Sequence, residues 1–261
     1  MNIVVTVKQV PDTWAEKKLD PSDMTTDRAT VDNVLNEMDE YGVEEALLLK
    51  EAHGGEVTAV TMGPDKAVEA VRKALQMGAD KGVHLCDASL HGSDALQTAS
   101  ALAKVIAPLN PDVVIVSSEA SDARGGVVGA LLAEYLGLPQ LTLARKVTAD
   151  PGGGTVTIER QTDNGYATVL GKLPVVVGVI EKINEPRYPS FKGIMAAKKK
   201  PLVTMTAADA GIDPGSAGLS GAYSEVDEAQ PRPPKAAGQV VKDEGDGGAK
   251  LAAFLADQKL V

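Results

Sequence analysis

The chain has 261 residues, 44% hydrophobic but only 3% aromatic, so its core must be built mainly from Val, Leu, Ile and Ala. Its formal net charge of -10 excludes a general nucleic-acid binder, which would present a broad basic face. A single cysteine, Cys86, excludes an internal disulfide framework, and His53, His84 and His91 show no metal-ligand spacing, so no metal site is expected.

The start, "MNIVVTVKQVPD", lacks the basic and long apolar stretches of a secretory signal. No run approaches the ~18 to 20 apolar residues of a membrane span. The expectation is a cytoplasmic protein of a reducing compartment without membrane insertion. Residues 3 to 8, "IVVTVK", read as a buried strand. A polar stretch of more than twenty residues follows, "QVPDTWAEKKLDPSDMTTDRATVDN", and a loop of that length inside a domain is usually functional or mobile.

Helical spacing predicts a helix from about Glu40 to His53, burying Val43, Ala46, Leu47 and Leu49. Glu44 and Glu45 on it read as a solvated side. "GGEVTAVTMGP" supplies a turn, a strand and a break, and "DKAVEAVRKALQMGAD" a helix ending near Gly78. "GVHLC" is a short strand with Cys86 as packing. "SDALQTASALAKVIAPL" is a helix capped by Ser93, "PDVVIVSS" a buried strand, and "GGVVGALLAEYLGLP" a helix closed by Gly137 and Pro139. "TVTIER" and "ATVLGK" around "QTDNGY" read as a hairpin, and "LPVVVGVI" as one more buried strand.

Continuous apolar strands alternating with helices predict an α/β fold: a Rossmann-like three-layer α/β/α with a mostly parallel sheet, plus the hairpin. Residues 1–203 read as this domain. Residues 204–261 read as an extended C-terminal arm, Ala-, Gly-, Ser- and Pro-rich, ending in "AKLAAFLADQKLV" with Leu251, Phe254 and Leu255 at helical spacing. So short a helix needs a surface to dock on, its own domain or another subunit.

Ligands of an open parallel sheet bind beyond the carboxyl ends of its strands. Three stretches reach that edge: Thr6 to Pro11, Thr61 to Pro64, and "SSEASDARGG" from Ser117 to Gly126. The last is small and polar, and its glycines and the helix start after it suit an anion such as phosphate, or simply a solvated loop. No G-x-x-x-x-G-K-[ST], G-x-G-x-x-G or G-x-S-x-G is present, so P-loop, dinucleotide and hydrolase readings are disfavoured. No catalytic acid, base or nucleophile is visible, so the chain reads as a non-enzyme.

Three groups of residues carry a family resemblance: "VKQVPDT"; "GVEEALLLKE" with "TMGP" and "RKALQMGAD"; and "NEPRYPSFKGIMAAKKKP". With "AEYLGLPQLT" they resemble the β subunits of electron transfer flavoproteins, in order and spacing along nearly the whole chain, and most closely the bacterial, actinobacterial form. The resemblance implies the small subunit of a heterodimer whose larger α subunit holds most of the FAD. It implies an adenine-nucleotide-binding fold with a buried structural AMP, and an arm extending onto the partner. It implies electron transport from acyl-CoA-type dehydrogenases, as in fatty acid oxidation, to a membrane quinone oxidoreductase.

By position, the resemblance places AMP contacts on Thr6, on Asn36, Glu37, Met38 and Asp39, and on Met62. The rest fall on the loop Ser117, Ser118, Glu119, Ala120, Ser121, Asp122, Ala123, Arg124, Gly125, Gly126, Val127 and Val128. Asp12 and Met38 are expected near the flavin. Dehydrogenase docking falls on the recognition loop 184–195: Asn184, Glu185, Pro186, Arg187, Tyr188, Pro189, Ser190, Phe191, Lys192, Gly193, Ile194 and Met195. Phe191 is the apolar anchor, and Lys192 with the run Lys198 to Lys200 draws in an acidic partner surface. The loop after the fourth strand keeps Ala120, Asp122 and Gly129 but lacks the acidic run and Gln-Thr pair of many relatives. A second FAD in place of AMP, as in electron-bifurcating relatives, therefore stays open, as do a nucleotide sensor and an adenylating enzyme of the same fold.

Overall fold

The computed structural model describes residues 1–230, 232–235, 238 and 240–261. Strand β1 (Asn2–Thr6) is a β-branched run in which Ile3, Val4 and Val5 are fully buried. The long polar segment after it is closed at its base by β2 (Gln9–Pro11) and β3 (Asn33–Leu35), which pair antiparallel. Then come α1 (Glu37–His53), β4 (Glu56–Met62), α2 (Val68–Met77), β5 (Lys81–Leu85), α3 (Ala95–Ile106), β6 (Val113–Ser117) and α4 (Val128–Leu136). An antiparallel extension follows: β7 (Gln140–Asp150), β8 (Thr155–Thr162) and β9 (Gly165–Lys172). β10 (Val175–Val179), α5 (Phe191–Ala197) and β11 (Leu202–Met205) return to the main sheet and its helices.

One nine-stranded sheet runs β11-β5-β4-β1-β6-β10-β7-β8-β9, parallel as far as β7. Val43, Leu47, Val71 and Leu75 of α1 and α2 pack on one face with Ile3, Val5 and Ile115. Leu102, Ile106 and Leu132 of α3 and α4 cover the other with Val4, Val114 and Val176. Each fully buried aliphatic side chain here contributes about 1.5–3 kcal/mol. The result is the Rossmann-like three-layer α/β architecture expected from the alternating strands and helices, hairpin included. Strands are added from β1 outward through β4 and β5, then on its other side as β6 and β10. The order reverses between β1 and β6, which sets a crevice at their carboxyl ends.

Several local expectations are corrected. Helix α1 starts one turn earlier than Glu40, and Glu44 and Glu45 are not solvated: both are buried, because residues 184–187 cover them. Asp94, not Ser93, caps α3, its side chain accepting from the Gln97 N–H at 2.9 Å, while the Ser93 hydroxyl turns back to the Leu90 carbonyl. Cys86 stands just beyond β5, half-buried, its Sγ 3.1 Å from Asp65 Oδ1. Burial and the Asp65 carboxylate push that thiol up to about 11, so it is inert as a thiolate.

The first compact unit extends to Asp227, past the boundary at residue 203. Carboxylates hold the added segment: Asp87 accepts from the Ala207 N–H at 3.0 Å, and Asp94 from those of Tyr223 and Ser224 at 2.8 and 3.1 Å. The second unit, Glu228–Val261, contains α6 (Gly247–Asp257), on which Leu251 and Phe254 are exposed. At Pro231, Ala236, Ala237 and Gln239 the arm reading lies outside the described residues.

Candidate functional site

Parallel register brings the ends of β1, β4 and β6 to one edge, Thr6 facing Val60 and Val5 facing Ile115. Helix α1 starts there. Asn36, immediately before it and fully buried, does not cap the helix but spans to the loop after β6. Its Nδ2 donates to Asp39 Oδ1 at 3.0 Å and to the Glu119 carbonyl at 3.1 Å, and its Oδ1 accepts from the Ser121 N–H at 3.1 Å.

Asp39 lies beneath this bridge, 3% exposed. Its Oδ2 accepts from the Lys8 N–H at 2.7 Å, and its Oδ1 from Asn36 and from the Ser117 hydroxyl. Burial pushes the Asp39 carboxyl up to about 6, and those hydrogen bonds restrain the rise.

A second carboxylate, Asp122, is held by cations from two other segments. Lys8 Nζ lies 2.8 Å from Asp122 Oδ2, and Arg28 Nη2 donates to the same oxygen at 2.6 Å. Burial alone would raise the Asp122 carboxyl, but the Lys8 and Arg28 charges outweigh it and hold it below the usual carboxylate range. Lys17 Nζ adds a bond to the Ser121 carbonyl at 2.6 Å. The long polar segment between β2 and β3 is thus strapped to the loop after β6.

That loop turns at Arg124 and Gly126, both left-handed at φ +49° and +65°. Open space surrounds a Cβ built on Gly125, and only the Ser118 carbonyl lies within 4 Å of one on Gly126. The first N–H groups of α4 have no intrahelical partner by helix geometry. Two hydroxyls of this edge, Ser121 Oγ and Thr61 Oγ1, are buried without a hydrogen-bond partner among the described residues. Open backbone, a helix start and orphaned hydroxyls fit the phosphate and sugar of a nucleotide.

The remaining expected positions line the same edge less tightly. Glu37 is exposed, with Oε1 3.5 Å from the Thr13 hydroxyl; Met38 and Met62 are half-buried. Arg124 is exposed, its guanidinium 3.9 Å from Glu119. Asp12, half-buried, accepts from the Trp14 N–H at 2.9 Å. Lys8, Lys17 and Arg28 were not singled out from the sequence. Only the length of the segment that carries two of them signalled a role.

The segment 184–195 emerges from β10 and is braced from below. Ser190 caps α5, its Oγ accepting from the Gly193 N–H at 3.0 Å. Gly193 presses on α2 so closely that a Cβ would stand 2.6 Å from the Gln76 carbonyl oxygen. Lys200 Nζ caps α2 at the Leu75 carbonyl, 2.9 Å away, which leaves Lys192, Lys198 and Lys199 as the exposed cations. On this brace Tyr188 is 95% and Phe191 80% exposed, beside exposed Ile194 and Met195. The Phe191 ring does not fold inward over the domain.

Sheet order, layers and the crevice beside β1 define a Rossmann-like α/β protein with a polar strand-end crevice and a separate apolar surface knob. Among the described residues no helix is long and apolar enough to cross a membrane. The "Electron transfer flavoprotein domain" family matches residues 23–210. The chain is 51% identical over 266 aligned residues to "Electron transfer flavoprotein subunit beta" of Mycobacterium leprae, covering 100% of this chain and 99% of that one. It is 39% identical to the protein of the same description from Clostridium acetobutylicum, over 92% of each chain. It is 37% identical to "Protein FixA" of Azorhizobium caulinodans, over 87% of this chain and 83% of that one. The chain belongs to the electron transfer flavoprotein family, on its β-subunit branch. Electron transport is its class of function.

Proposed function

We propose that this chain is the small subunit of a heterodimeric FAD-containing electron carrier, and that it docks electron-donating dehydrogenases through Phe191. The observation that carries the reading is a phenylalanine ring left 80% exposed at the start of a helix braced against α2. A large ring held rigidly in solvent is an interface anchor in search of a pocket, and Pro186 and Pro189 reduce the freedom lost on docking. Lys192, Lys198 and Lys199 beside it favour an acidic partner surface and a faster encounter. The donors are of the acyl-CoA dehydrogenase type, and the acceptor is a membrane quinone oxidoreductase; the carrier itself works in the cytoplasm.

The α subunit holds most of the FAD, whose bound flavin supplies the one-electron chemistry. This chain contributes shape and surroundings, with Asp12 and Met38 nearest the flavin. In the crevice, the N–H groups of Gly125, Gly126, Val127 and Val128 hold the phosphate of AMP, and Thr6, Asn36, Asp39, Met62 and Ser121 enclose the rest. The exposed apolar side of α6, Leu251 and Phe254, docks on the α subunit and makes residues 228–261 an arm.

The heterodimer, co-expressed with its α subunit, tests this. One FAD and one AMP per complex are expected on cofactor analysis; two FAD would overturn the AMP assignment. Phe191→Ala should raise the dehydrogenase's KM for the carrier about tenfold or more, as loss of an interface anchor does. An unchanged KM would remove Phe191 from the docking role.

A further inference from the structure

The Phe191 ring stands at the end of a loop, and the loop is held by an ion pair whose carboxylate is buried. Glu44, in the middle of α1, is 5% exposed, yet its nearest cation comes from residue 187. Its Oε2 accepts from the Arg187 Nε at 2.7 Å and from the Arg187 backbone N–H at 3.1 Å, while its Oε1 accepts from Nη2 at 2.9 Å. The remaining guanidinium face is taken by Glu51, whose Oε1 accepts from Nη1 at 2.6 Å. One helical turn from these contacts, Asn184 Nδ2 donates to the Tyr41 carbonyl and to Glu45 Oε2, both at 3.1 Å.

A carboxylate buried this deeply is costly unless its charge and lone pairs are met, and among the described residues Arg187 makes every hydrogen bond to the Glu44 carboxylate. The guanidinium fork fixes direction as well as distance, which a lysine ammonium does not. The backbone bond matters most, because it fixes the main chain four residues before Phe191. On the far side of the ring, Gly193 and Lys200 rest on α2. The loop is therefore footed at both ends, on α1 through Arg187 and on α2 through Gly193.

Resting on the docking reading above, we propose that Glu44 and Arg187 are positioning residues for electron transfer between proteins. They act by holding residues 188–195 in the geometry in which Phe191 enters its pocket. Ordering the loop in advance removes a cost that would otherwise fall on each encounter.

The experiment uses the flavin-loaded heterodimer with a reducing dehydrogenase, and compares Glu44→Gln, Arg187→Lys and Phe191→Ala with the parent. Glu44→Gln is expected to raise KM on the order of fivefold to tenfold with kcat within about twofold, since docking order is lost and the flavin is untouched. Arg187→Lys keeps the charge without the fork and is expected to give a smaller rise in the same direction. Amide hydrogen exchange should quicken at residues 186–197 in both variants while β1, β4 and β6 stay protected. If Phe191→Ala raises KM but Glu44→Gln and Arg187→Lys do not, the positioning role is wrong and the docking reading stands. If Phe191→Ala leaves KM unchanged, the docking reading falls, and this inference falls with it.

Discussion

Asp122 Oδ2 lies 2.6 Å from the Arg28 guanidinium, 94 residues away in the chain, and the Asp122 side chain is 1% exposed. This contact joins the polar segment before β3 to the loop beside the crevice. Lys8 and Arg28 are partly solvated and can rehydrate if the carboxylate is removed, so the loss falls below that of a fully buried pair. Asp122→Asn should therefore destabilise the protein by about 1–2 kcal/mol in urea unfolding and quicken tryptic cleavage at Lys17 and Lys18. Unaltered cleavage there would mean the strap is held elsewhere.

The two crevice carboxylates respond to acid in opposite directions. Asp122 has a lowered folded-state value, so its contribution is present above the unfolded carboxylate range and fades as pH falls through the folded value. Asp39 is raised from 3.8 to about 6, so the native state binds the extra proton between those values. Its contribution is fully present below the unfolded value and is lost as pH rises through about 6. Protonated, its carboxyl donates to Ser117 Oγ, which can pass its own hydrogen to the Glu119 carbonyl, 3.2 Å away. Relative to Asp39→Asn, the parent protein should gain roughly 2–3 kcal/mol on going from about pH 7 to about pH 4. A difference that stays flat across that range, measured by denaturant unfolding of both proteins, would show that Asp39 keeps an ordinary acidity.

The layers of this fold were legible because β1, β6 and β10 carry unbroken apolar runs and the helices between the strands carry periodic Ala, Val and Leu. β7 was not legible. Leu143 sits at φ +57° and is exposed, and the register with β10 and β8 shifts around it, so the alternation that marks a half-buried strand is broken. Asp122 and Phe191 came from family position, and the strand ends from topology. The cations that hold Asp122 could not be read, because Lys8 and Arg28 meet it across 114 and 94 residues with no local spacing to mark them. Glu44 misled for the same reason: on α1 it has the sequence context of a solvated helix side, and only residue 187 makes it a buried one.

Ser121 offers a test in which two measurements should move in opposite senses. Its Oγ is buried without a partner, while its N–H is held by Asn36 and its carbonyl by Lys17, so the hydroxyl is the one polar group of the residue left unmet among the described residues. An unsatisfied buried hydroxyl is a cost to the folded state, and removing it without creating a large cavity relieves that cost. Ser121→Ala should leave the nucleotide-free heterodimer unchanged or more stable by up to about 1 kcal/mol. If the crevice takes AMP, the same change removes a hydrogen bond to it, and titration calorimetry should show affinity for AMP falling roughly twofold to tenfold. A structural serine would behave in the reverse way, with the stripped protein destabilised and AMP affinity unaltered. That pattern would place the nucleotide away from Ser121 and shift the site toward Thr61 and the end of β4.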